Sequence, residues 1–354
     1  MKFRLPVCAA TICAVALLSA PQDEGSAKKK KGKKVELPHP FYWAAPDPMR
    51  GDWQGTPGYV AQIVRLDDKI LSQQNLLPQA EDANQYVANI FHKFDQPNDK
   101  PIAILHGETS GSEIRFAGDG WTGSIADGRF KGSNGSQTFE LQHINRVPPT
   151  LGAKPPAGGI VLFDGTNFNE WAKMKEKDWL TEDGPAQWHL IGNGAMEVVP
   201  RAGSLISHRK FGDMKLHVEF RNVGGPTNSG VYIQDRYESN INEVYGRLDG
   251  NPCAGFDNST PPDARPTIRC SRPVLDWQTL DIDFTAPRFD KAGTRTAAAR
   301  VMLLFNGTKL YDNRELGPVT LNAARLGEAP TGPIQLQEHG MPVQFRNIWV
   351  VEKK

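Results

Sequence analysis

Two stretches of this 354-residue chain gather side chains that can move protons or hold a polyol: residues 228–246, NSGVYIQDRYESNINEVYG, and the run Gln337, Glu338, His339, Gly340. Read as two short strands joined near Asp235 and Arg236, the first stretch points Val231 and Ile233 to one side and Tyr232 and Gln234 to the other, because successive strand side chains alternate faces. Gln234, Arg236, Glu238 and Asn240 give one face more amides and charges than a merely solvated strand needs, as a sugar-binding groove would require. Glycoside cleavage commonly uses two carboxylates, one as acid and one as nucleophile or base. Glu238 and Glu243, five residues apart, fall on opposite faces of an unbulged strand and do not form such a pair. Glu238 and Asp281, from different strands, could converge on one concave face; taken alone, Glu238 is more often a surface carboxylate. His339, at a strand end beside a carboxylate, is suited to proton transfer near neutral pH, or else simply caps a turn that Gly340 allows. There is no HExxH or paired CxxC zinc signature, so any metal site would be assembled from scattered Glu, Asp, Asn and His. A phosphate-binding glycine loop, a dinucleotide fingerprint and a GxSxG elbow are all missing, which argues against nucleotide cofactors and serine-hydrolase chemistry.

The elements that must position these groups are strands. Residues 215–221 alternate, with Leu216, Val218 and Phe220 inward and His217, Glu219 and Arg221 outward, the pattern of a half-buried sandwich strand. Residues 276–285 repeat it, with Leu280, Ile282 and Phe284 inward and Trp277, Thr279, Asp281 and Asp283 opposite. Residues 160–163, 299–306, 332–337 and 343–350 supply further strands, and 187–191 with 195–199 read as a hairpin across Gly192, Asn193 and Gly194. Many short strands without a long helix predict an all-β, two-sheet jelly roll. Ahead of it, residues 59–66, 85–94, 102–106, 113–116 and 138–144 are strand-like and separated by turn signals. Residues 76–94 also carry apolar side chains near helical spacing, which periodicity alone does not decide.

Length suggests about two domains, and 34 glycines with 27 prolines favour turns. We expect a secretory signal at 1–20, too short to span a bilayer, then a leader at 21–48 that is basic, with six lysines among residues 28–34, and Pro-rich. A small β-rich domain is expected at 49–147, a Pro/Gly linker at 148–158, and the main domain at 159–354. The chain is thus expected to be exported, periplasmic or extracellular in a bacterium. A net charge of +1 gives no global field for nucleic acid. Removing the signal would take away Cys8 and Cys13, leaving Cys253 and Cys270 as a candidate disulfide, or else two buried free thiols.

NSGVY, RYE and the following YG, with GIVLFDGTNFNEW before them and DWQTLDIDF, IQLQEHG and FRNIWV after, resemble in order the bacterial 3-keto-disaccharide hydrolase domain over about residues 158–352. The resemblance implies a concanavalin-A-like jelly roll cleaving 3-keto-glycosides by β-elimination, hydration of the product, or both. It carries over Asn228, Arg236, Glu238, Gln337 and His339, with Glu238 and His339 as catalytic groups and the others, together with Gln234, Asn240, Trp277 and Asp281, contacting substrate. Asn240 stands where the family has a longer amide, and Glu338 where it has an aspartate, so sugar specificity differs before fold does. A ketone at C3 acidifies the C2 proton, so the site needs a base, an acid for the leaving group and a holder for the enolate oxygen. Arg236 or a bound divalent cation could be that holder. The rival is a non-catalytic, lectin-like carbohydrate-binding module on the same fold, in which Tyr232, Trp277 and Tyr245 would stack on sugar rings.

Overall fold

The computed structural model describes residues 42–66, 84–176, 178–248, 253–256, 259–260, 265–317 and 326–353. The expected signal and most of the expected leader lie outside them. Eight strands follow one another round a closed antiparallel barrel: Gly51–Thr56, Tyr59–Arg65, Gln85–Phe91, Ala103–Ser110, Glu113–Gly118, Trp121–Ala126, Arg129–Ser133 and Thr138–Ile144. The first strand pairs with both its successor and the last, which closes the ring. Alternation fills the inside: Ile114 and Phe116 join the barrel core while Arg115 between them is exposed. A Cβ on Gly132 would lie 2.3 Å from the Phe139 ring, so glycine there makes room for that ring.

Gln85–Phe91 is a strand, and the helical alternative for this region fails over those residues; residues 67–83 lie outside the described set. Tyr86, Ala88 and Ile90 enter the barrel core. On the outer side Val87 packs with Val64 and Tyr245, and Asn89 Nδ2 donates to the Gly246 carbonyl at 2.8 Å. Burial on both faces blurs the period-2 pattern and so imitates helical spacing.

Apart from two short two-stranded sheets, Tyr42–Trp43 with Gly224–Gly225 and Arg288–Phe289 with Arg295–Ala297, the remaining strands form a two-sheet antiparallel sandwich. The six-stranded sheet runs in the order Glu182–Pro185, Trp171–Met174, Leu205–Phe211, Gly332–Leu336, Asn228–Ile233, Tyr237–Asn242. The eight-stranded sheet runs His189–Ile191, Ala195–Glu197, Val343–Glu352, Met214–Asn222, Gln278–Thr285, Arg300–Phe305, Thr308–Glu315, with Ile160–Phe163 also on Val343–Glu352. Leu216, Val218, Phe220, Leu280, Ile282 and Phe284 share one core with Val231, Ile233 and Leu336 of the other sheet. The expected all-β sandwich preceded by a smaller β unit is what the chain builds.

The Pro/Gly segment between the barrel and the sandwich is docked along its length. Thr150 Oγ1 donates to Asp281 Oδ2 at 2.6 Å, Gly152 N–H to Glu219, and the Ala153 carbonyl accepts from Asn347 Nδ2 and Trp349 Nε1 at 2.9 and 3.0 Å. A second polar junction sits beside it. Arg146 donates to Asp52 Oδ2 at 2.7 Å and to Asp95 Oδ2 at 2.8 Å, and Tyr245 donates to Asp52 Oδ1 at 2.9 Å. Arg272 Nε caps the Arg146 carbonyl at 2.8 Å. Burial alone would lower the Arg146 pKa, but Asp52 and Asp95 outweigh it and raise it. Tyr245, expected to stack on sugar, is buried in this junction instead.

Removing one partner of a buried ion pair leaves an uncompensated charge, at a cost of about 3–5 kcal/mol. Arg146→Ala should therefore lower stability in urea unfolding by about that amount. A loss under about 1 kcal/mol, the range of exposed pairs, would show that the junction does not hold the barrel to the sandwich.

Candidate active site on the six-stranded sheet

The site begins with a turn. Arg236 N–H donates to the Ile233 carbonyl at 3.0 Å, and Gln234 and Asp235 between them have φ of 55° and 56°. Two left-handed central residues make a turn of the I′ kind, whose twist suits the flanking strands. Neither residue is glycine, and each side chain is tied down. Gln234 Nε2 donates to the carbonyls of Phe211 and Pro330 at 3.1 and 3.2 Å, and Asp235 Oδ2 accepts the Leu180 N–H at 3.0 Å. Arg236, 4% exposed, donates to the carbonyls of Gly327 and Gln234. Gln234 and Arg236 were expected to contact substrate; the turn takes both out of the strand alternation and uses them as anchors. Arg236 is therefore also spent as a holder for a substrate oxygen.

Beyond the turn the alternation resumes. Tyr232 and Glu238 pair across the hairpin on the face turned away from the core. A Cβ on Gly230 would come within 2.7 Å of Glu238 Oε1, so the bare glycine leaves room for the carboxylate. Burial first, and then Glu238, push the Tyr232 hydroxyl far above its ordinary pKa; it stays neutral and hydrogen-bonds to Glu238. Its oxygen accepts Gln337 Nε2 at 3.1 Å. That direction fixes the Gln337 amide and leaves its Oε1 without a partner, as is the Oε1 of Gln335 two residues before it. Buried acceptors of this kind are rare and call for an explanation.

A cavity of about 450 Å³ opens beside this row, lined by Lys173, Trp179, Ser204, Gln335, Gln337 and Glu338 among others. Trp179 stands edge-on to Tyr232, 5.6 Å between ring centroids. The Glu338 N–H donates to Ser204 Oγ at 3.0 Å, and its Oε1 accepts the Gly340 N–H. Lys173 Nζ lies 3.5 Å from Asp183. His339 is exposed on the loop that follows the strand, and Asn228 is half-buried at the start of its own strand. Glu176, Asp183 and Arg201 also belong to the lining. Amides, carboxylates, an aromatic ring and cations around one cavity can hold a polyol and move a proton. Sequence reasoning missed Lys173, Trp179 and Gln335 as site residues. Only Gln335 left a signal, two amides at period 2 on one strand.

The sequence profile of the 3-keto-alpha-glucoside-1,2-lyase-like domain matches residues 158–351, the whole sandwich. The chain belongs to that family. Membership makes this lyase-like domain a carbohydrate-active one, and the barrel lies outside the matched range. The chain is also similar to a provisionally named glycosyl hydrolase from Parabacteroides distasonis ATCC 8503, at 28% identity over 56% of this chain and 85% of that one, TM-score 0.48. A second such structure from the same organism is 16% identical over 56% of this chain and 95% of that one, TM-score 0.39. Among curated proteins none matches.

Other expected contacts of the lyase-like domain lie elsewhere. Asn240 is tied to the neighbouring segment, its Oδ1 accepting the Gly255 N–H at 3.0 Å. Cys253 and Cys270 are buried and not joined. Their thiols lie against separate carbonyls, of Asn240 at 3.7 Å and Phe305 at 3.6 Å, so the buried free thiols and not the disulfide are what the structure holds. Asp281 belongs to the eight-stranded sheet, on Gln278–Thr285, and Trp277 immediately precedes that strand. The guanidiniums of Arg221 and Arg346 lie over the Trp277 ring, 4.8 and 4.1 Å from its centroid, where a sugar would have to stack. Asp281 and Glu238 face outward from opposite sheets and cannot converge. Among the described residues no group of three or more His, Cys, Asp or Glu is placed to hold a metal. No described helix is long and apolar enough to cross a membrane.

Asp281 instead accepts from His217 Nδ1 at 2.6 Å, with His217 fully buried and stacked on Trp349. Burial alone would lower the His217 pKa, but its hydrogen bonds to Asp281 and Glu219 outweigh it and raise it above the ordinary 6.5. Burial alone would raise Glu219; hydrogen bonds from His217, Asn347, Gly152 and Arg346 instead hold it at about 2. The His217 contribution to stability is therefore complete below pH 6.5 and fades as pH rises through its elevated folded value. The Glu219 contribution is present above pH 4.5 and fades only as pH falls toward about 2. Urea midpoints followed upward from pH 6.5 should thus fall for the wild type and much less for His217→Gln; parallel curves would refute a charged His217.

Proposed function

We propose that the cavity on the six-stranded sheet cleaves 3-keto-glycosides by β-elimination, with water adding to the resulting enone as a second step. The observation that carries this reading is the directed row Gln337, Tyr232, Glu238 bordering a polar cavity in a lyase-like domain. Loss of the C2 proton, acidified by the C3 ketone, lets the C1 oxygen leave, and such chemistry needs few groups beyond positioned proton carriers and a holder for the oxygen. Glu238 acts through Tyr232 and Gln337, whose amide borders the cavity, while His339 on the exposed loop supplies a proton to the departing oxygen. Lys173 and Arg201, both in the lining, are the cations available to the enolate oxygen. Export, supported by the apolar run and small-residue end of residues 1–20, would place this activity outside the cytoplasm.

The wild type should release nitrophenol from a 4-nitrophenyl 3-keto-glucoside of one anomer, with a transient enone absorbance, and leave the unoxidised glucoside intact. Glu238→Gln breaks the directed row and should lower kcat by about 10²-fold, the cost of a small misplacement of reacting groups. His339→Ala should cost ~10²–10⁴-fold, as loss of a positioned proton carrier does. A protein inert on every 3-keto-glycoside that still binds plain glycans would be the lectin-like module instead.

A further inference from the structure

We infer that Glu338 is the group that takes the C2 proton, and that Glu238 is a positioning residue behind it; this rests on the 3-keto-glycoside reading. Glu176 and Asp183 also line the cavity, but both are exposed, and Asp183 lies against Lys173. Glu238 is 8% exposed, hydrogen-bonds to the Tyr232 hydroxyl and is not part of the cavity lining. Glu338 lines the cavity, half-buried. Its backbone is fixed by Ser204, and one carboxylate oxygen is fixed by the Gly340 N–H, which the left-handed φ of 82° at Gly340 turns back toward it. The other oxygen has no hydrogen-bond partner among the described residues. One oxygen held and one left to the cavity is the geometry of a positioned base. Gln337, the preceding residue, keeps its amide nitrogen on Tyr232 and leaves its buried amide oxygen without a partner.

In this step the Glu338 oxygen forms a bond to the C2 hydrogen, the C2–H bond breaks, and its electron pair makes the C2–C3 enolate, with negative charge on the C3 oxygen near Lys173. The enolate collapses to restore the C3 carbonyl, a C1–C2 double bond forms, and the C1–oxygen bond breaks. The leaving oxygen takes a proton from His339, which recovers one from water, and Glu338 passes the C2 proton to water, so no net proton is gained or lost. No oxidant or further reactant is needed.

The test compares variants on a 4-nitrophenyl 3-keto-glucoside, each first checked for a wild-type thermal transition. Glu338→Gln keeps an acceptor for the Gly340 N–H but cannot take a proton, and should lower kcat by ~10²–10⁴-fold. Glu338→Ala should lose as much and recover part of it with added formate, which can enter the vacated space. Glu238→Ala should show no recovery with formate. Glu338→Gln within about twofold of wild type, or formate rescue of Glu238→Ala in place of Glu338→Ala, would overturn the assignment while leaving the reaction standing. A wild type inert on 3-keto-glycosides would remove the reaction itself, and this assignment with it.

Discussion

A hydroxyl hydrogen can be given only once, and Tyr232 gives its hydrogen to Glu238. The rest of the site follows from that single constraint. With its hydrogen committed, the phenol oxygen can only accept, so Gln337 must present its NH₂, and the buried amide oxygen is left over. Burial makes the arrangement rigid, because an unpaired polar group away from water costs more than a hydrogen bond gains. Gly230 is part of the same constraint, since any side chain there would displace the carboxylate that receives the hydrogen.

The same physics appears on the far side of the sandwich with another outcome. His217, Glu219 and Asp281 are as rich in proton-carrying groups as the cavity, yet every one of their partners is protein: Thr150, Gly152, Asn347 and Arg346. A cluster so fully satisfied has nothing left to offer a ligand. It fastens the segment that joins barrel to sandwich. The cavity differs in having acceptors left over, and unspent hydrogen-bonding capacity separates the two faces better than the count of charged residues does.

The fold was legible where apolar and polar side chains alternate along a strand. Residues 215–221 and 278–285 do so at the centre of the eight-stranded sheet, even though His217 and Glu219 on the polar face are buried. Legibility failed where apolar side chains occupy both faces, as at Gln85–Phe91, and where glycines and serines carry the ladder, as in Trp121–Ala126 and Arg129–Ser133, whose side chains give little apolar pattern. The site was half legible. Glu238 and Gln337 take part in one hydrogen-bonded row, but alternation cannot say which sheet a strand joins, so Trp277 and Asp281 were assigned to a face that they do not share. Lys173 and Trp179 come from a separate edge of the sheet and its loop, with no spacing that ties them to the hairpin.

The contiguous triplet Arg236, Tyr237, Glu238 shows why a motif overstates a site. Arg236 holds the Gly327 carbonyl, and Tyr237 reaches across to Glu328, which in turn accepts Arg295 at 2.6 Å. Both side chains serve the loop at 327–330 and the turn, and only Glu238 lies on the face turned away from the core. Three adjacent positions of a strand must divide between its two faces and its turn, whatever their chemistry. A run of polar residues on a hairpin therefore contributes to a site at every second position, and the intervening ones fix the backbone to which that position is attached.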